Sequence, residues 1–147
     1  MDRLFARITI AAAAIALAGG VGCSSSSSSS SSAGGSEAGD ISASEKDFSI
    51  GLSAASAPAG SVTFNISNEG PSTHEFVIIK TDDAPDALPV KDNEVQEDGL
   101  NVVDEQEDIA PSTTGVLQTN LEAGSYVIIC NLPAHYESGM HTAFTVD

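Results

Sequence analysis

The sequence predicts an all-β protein, an antiparallel Greek-key β-sandwich, over its C-terminal two thirds. Three observations carry this. Val, Ile, Thr and Ser are plentiful and tryptophan is absent. Short stretches alternate apolar and polar with period two, as half-buried strands do. Turn-forming residues separate these stretches, and no amphipathic helical repeat competes with them.

Six or seven strands are expected. FSIGL at 48–52 is short and apolar. SVTFNIS at 61–67 points Val62, Phe64 and Ile66 one way, and NEGPS after it is turn chemistry. HEFVIIK at 74–80 aligns His74, Phe76 and Ile78. TTGVLQTNL at 113–121 is stopped by EAGS. YVIIC at 126–130 aligns Tyr126, Ile128 and Cys130, and MHTAFTV at 140–146 aligns Met140, Thr142, Phe144 and Val146. Residues 81–108 break the rhythm, with eleven Asp and Glu against Lys91 alone. This length exceeds a hairpin turn. It reads as an acidic excursion with a short helical turn, covering one edge of the sandwich.

Ahead of the domain lie two segments that are not part of it. Residues 1–22 carry Arg3 and Arg7 before an apolar run too short to span a bilayer comfortably, the pattern of an export signal. AGGVGC places small residues before Cys23, which resembles a lipobox with Gly20 at the usual Leu position. Lipidation of Cys23 would follow. Cleavage after Ala16-Leu17-Ala18 is the alternative, and both stay open. Residues 23–40, with nine consecutive serines at 24–32, read as a flexible tether. The domain is then 41–147, on an exported chain anchored by lipid to the cell membrane and facing the periplasm or the extracellular side.

Charge and cysteine count narrow the function. Twenty-one acidic residues against five basic ones give a net charge of −16, which argues against nucleic acid, whose phosphates are held mainly by Lys and Arg. A cationic partner or a salt-rich setting suits it better. Of the two cysteines, Cys23 sits at the root of the serine tail, so a disulfide to Cys130 is poorly supported and Cys130 is left as a solitary exported thiol.

The parities bring chemistry to one place. If the aligned faces are core faces, three strand ends deliver His74, Cys130 and Met140 to one end of the sandwich, with His135 in the loop between the last two. Two imidazoles and a thiolate, with a weak axial thioether, suit copper moving between Cu(I) and Cu(II). His141 has the opposite parity to Met140 and is expected to face outward.

C-x4-H-x4-M near the C-terminus, with a histidine 56 residues before the cysteine, resembles the cupredoxins, in particular the azurin-like and rusticyanin-like small blue copper proteins and plastocyanin-like bacterial lipoproteins. The resemblance implies one type I copper per chain, with His74, Cys130, His135 and Met140 as ligands and the histidines coordinating through Nδ1. It also implies electron exit at His135 through an apolar patch, here Leu132, Pro133, Ala134 and Tyr136. Glu75 stands where the family commonly has an Asn that ties the two ligand loops together. The expected function is single-electron transfer between redox proteins, a basic cytochrome or a copper oxidase among them, with no small-molecule substrate and no catalysis. Multicopper enzymes need further histidines, and only His141 is spare. The alternative is copper handling, as a store, sensor or donor to a copper oxidase.

Overall fold

The computed structural model describes residues 39–147. In chain order its strands are β1 (Gly39–Lys46), β2 (Ser49–Leu52), β3 (Ser56–Ala57), β4 (Gly60–Asn68), β5 (His74–Lys80), β6 (Val90–Lys91), β7 (Glu94–Val95), β8 (Asn101–Ile109), β9 (Thr114–Leu121), β10 (Gly124–Ile129) and β11 (His141–Val146). No helix occurs among the described residues. The predicted export segment, the serine tether and Cys23 lie outside them.

Two sheets face each other, one ordered β2-β1-β4-β9 and the other β3-β11-β10-β5-β8. Most pairs are antiparallel, but β1 runs parallel to β4 and β3 parallel to β11. The parallel pairing of β1 with β4 needs a crossover. It is supplied by β2, which turns back along β1, and by β3, which joins the opposite sheet. The predicted parities hold: Val62, Phe64 and Ile66 from the first sheet meet Phe76, Ile78, Tyr126, Ile128, Cys130, Met140 and Phe144 from the second in one core. Phe64 packs against both Phe76 and Phe144, with ring centroids 5.2 and 5.4 Å away.

The acidic excursion differs from expectation. HEFVIIK and YVIIC are continuous apolar runs because β5 and β10 are buried on both faces. Val77, Ile79, Val127 and Ile129 point away from the sandwich core and need their own cover, and Leu88 and Val95 supply it. Residues 81–100 therefore cap the outer face of the second sheet rather than an edge. They contain the hairpin β6–β7, whose turn residues Asp92 and Asn93 both have positive φ, the twist that two-residue hairpins favour. The rest of the acidic run is β8 itself, the edge strand of that sheet. Acidic side chains on an open edge also discourage pairing with another chain.

Candidate metal centre

Register delivers the donors. β10 and β11 pair Ile129 with His141, which sets Cys130 and Met140 side by side, and Cys130 N donates to Met140 O at 3.0 Å. The intervening loop is wound tightly. His135 N donates to Leu132 O, Gly139 N to Tyr136 O and Met140 N to His135 O, all within 2.9–3.1 Å. Gly139, at φ +106°, takes a backbone shape that a side chain would strain. His74 opens β5 beside β10.

The result is a cluster of three donor atoms. Nδ1 of His74 and Nδ1 of His135 are 3.3 Å apart, and Cys130 Sγ lies 3.9 Å from the first and 3.3 Å from the second. His74, Cys130 and Met140 are fully buried, while His135 is half-buried. The four sequence-predicted residues thus converge as a copper site.

Burial favours the uncharged form of both kinds of donor. Burial, and after it the neighbouring His135, hold the His74 imidazole below its ordinary pKa, so it stays neutral and able to ligate. Burial pushes the Cys130 thiol up to about 11, opposed by the backbone N–H groups of Glu75 and Leu132. Glu75 N reaches the sulfur at 3.4 Å. Such a thiol ionises at neutral pH only with a positive charge alongside. Two imidazole nitrogens and a sulfur facing one another in a buried site, with Met140 buried and backbone-bonded to Cys130, fit copper in either oxidation state.

The supporting residues are only partly those expected. Glu75 stands where the family commonly has Asn: burial pushes its carboxyl up to about 7, opposed by the backbone N–H of Asn131, next to Cys130. Asn131 also clamps the capping segment, accepting from Val95 N at 2.6 Å and donating to Val95 O and Glu97 Oε1. Ala134 N donates to Asn93 O at 2.8 Å. The ligand loop is held from below by the sandwich and from outside by the β6–β7 hairpin.

Tyr136 is a correction. It is 4% exposed, packs its ring at a tilt against His141, accepts from Leu88 N and donates to Pro85 O. It pins the capping segment and cannot belong to a surface patch at His135. Pro133 and Ala134 are exposed and Leu132 half-buried. In Tyr136's place stands Phe48, 44% exposed, its ring edge-on to His135 at 5.2 Å. Nothing near Phe48 in the sequence signals this, because the contact spans 87 residues. Asp47 was equally hidden; its Oδ1 lies 3.0 Å from His74 Nε2.

Solved structures share the architecture. Reduced auracyanin from the photosynthetic bacterium Roseiflexus castenholzii matches with a TM-score of 0.53 and 22% identity, over 78% of this chain and 99% of that one. Auracyanin A from Chloroflexus aurantiacus, a "blue" copper protein, matches at 0.55 and 20%, over 74% and 98%. Rusticyanin from Thiobacillus ferrooxidans matches at 0.55 and 19%, over 74% and 76%. At these identities the likeness is one of fold. No curated protein matches the chain in sequence. The sulfocyanin (SoxE) domain model, however, matches residues 42–147, which contain every donor of the cluster, and by that match the chain belongs to the sulfocyanin family of blue copper cupredoxins.

Proposed function

We propose that His74, Cys130, His135 and Met140 hold one type I copper and that the protein carries single electrons between redox partners outside the cytoplasm. The observation that carries the reading is the asymmetry of the two histidines: His74 is sealed in the core, whereas His135 reaches the surface beside Phe48, Pro133 and Ala134. Copper bound there supplies reversible one-electron chemistry. The chain's part is to fix the donors, exclude water and offer one ring edge to a partner. A loop bonded on two sides has little freedom to rearrange when charge changes, which suits fast transfer.

The partner is a basic redox protein. β8 places Asp104, Glu105, Glu107 and Asp108 on an edge strand whose Ile109 pairs with His74, so the acidic run ends beside the centre. Two of the three lysines in the described residues are already paired, Lys46 with Glu69 and Lys80 with Glu122. Exposed charges steer a partner over a Debye length of about 10 Å at 0.1 M salt and about 3 Å at 1 M. Stopped-flow mixing with a basic cytochrome should therefore give electron transfer that slows as salt rises. Neutralising those four acids together should flatten the dependence and leave the visible absorption intact. Rapid loss of copper to an apo-acceptor, without electron exchange, would instead establish a copper donor.

The chain is read as lipid-anchored through Cys23, with the serine run as a spacer. Cys23→Ala should release the protein from membranes or stall its processing without altering its spectrum. Wild-type protein found mature at Gly19 and free in solution would replace this with cleavage after Ala18.

A further inference from the structure

We propose that Asp47 is a charged positioning residue of the metal centre, acting through His74. The inference rests on His74 being a ligand through Nδ1, which leaves Nε2 as the atom a positioning group must address. Asp47 Oδ1 lies 3.0 Å from that Nε2. The contact is bent, short of linear hydrogen-bond geometry, so it acts through the carboxylate's charge more than through a directed bond.

The carboxylate is itself held. Its other oxygen, Oδ2, accepts from Ser72 Oγ at 2.8 Å. Ser72 belongs to the loop joining β4 to β5, which buried Asn68 fixes by donating to Ser72 O and Ile109 O and accepting from Gly70 N. Gly70 makes the approach possible. A Cβ there would lie 2.8 Å from Asp47 Oδ1 and 3.0 Å from His74 Nε2. Only a residue without a side chain lets the turn between β1 and β2 close on the histidine. The same turn carries Phe48 against His135, so it touches both imidazoles.

A carboxylate beside Nε2 keeps the proton on that nitrogen, leaves Nδ1 free and makes the imidazole a stronger donor. A stronger donor favours Cu(II) over Cu(I). Losing such a partner typically weakens metal binding by about 10–100-fold. If the loss falls mainly on Cu(II), the reduction potential rises by about 59 mV for each tenfold difference between the two states.

The test uses the full chain. In copper-free protein, long-range ¹H–¹⁵N NMR should show His74 protonated on Nε2. Asp47→Asn, isosteric but neutral, should retain the blue band, weaken Cu(II) binding at least tenfold and raise the potential. Ser72→Ala, which keeps the charge and removes one hydrogen bond, should move the potential less. Three results would each overturn the proposal: a Nδ1-protonated His74 in the wild type, an Asp47→Asn potential at or below the wild-type value, or a Ser72→Ala shift as large as that of Asp47→Asn. Wild-type protein that binds copper without the band would reject the ligand set instead, so the two failures are distinguishable.

Discussion

Cys130→Ser should remove the visible absorption of the copper-loaded protein completely. The colour of a type I centre comes from charge transfer between a thiolate and Cu(II), and Cys130 is the only thiol among the described residues. A serine hydroxyl is too weakly acidic and too hard a donor to take its place. The substitution should leave the fold standing. Cys130 follows β10, its backbone is bonded to Met140, and a hydroxyl at the same position could accept the Glu75 N–H that now meets the sulfur. The measurement is the visible spectrum before and after adding a mild reductant, alongside circular dichroism to establish the fold. Wild-type protein should be blue or green and bleach on reduction. A folded Cys130→Ser protein that kept the band would reject Cys130 as the source of the colour.

The parts of this site that were legible in the sequence share one property: they lie within a short span or on a regular parity. Cys130, His135 and Met140 lie within eleven residues, and His74 shares its face with Phe76 and Ile78. The parts that were hidden depend on contacts between distant segments. Tyr136, beside a ligand in a loop, resembles a surface residue; only the positions of Pro85 and Leu88 make it a buried anchor. Phe48 and Asp47 occupy a turn whose role appears once β1 and β4 pair. Of the strands not anticipated, the two long ones, β1 and β8, were missed for their composition. β8 is rich in acids because, on an edge strand, nearly all its side chains are exposed or only half-buried. β1 alternates correctly, with Ile41, Ala43 and Glu45 inward, but a glutamate at an inward position reads as a break in the pattern.

That glutamate makes the second large prediction: Glu45→Gln should stabilise the copper-free protein strongly at pH 8 and barely at pH 4.5. Glu45 is fully buried, and neither carboxyl oxygen has a hydrogen-bond partner among the described residues. Burial first, and the nearby Glu75 carboxylate second, push its pKa from 4.5 up to about 8. Between those two values the folded chain holds a proton that the unfolded chain has lost. Stability therefore falls as pH rises, by about 1.4 kcal/mol per pH unit for this one group. Its full contribution is present below pH 4.5 and is lost on passing through pH 8. Glutamine has the same shape, is always neutral and removes this slope. Burying its amide costs about what burying the protonated acid costs, so the two proteins should converge at low pH and separate by several kcal/mol at pH 8. Glu75 is raised as well, to about 7, and destabilises in the same direction. It is present in both proteins, and because its carboxylate acts on Glu45, their difference reports the Glu45 proton together with its coupling to Glu75. Urea unfolding at pH 4.5, 6.5 and 8 measures that difference directly. Parallel pH profiles for the two proteins would show that Glu45 reaches solvent or a partner and carries no buried proton.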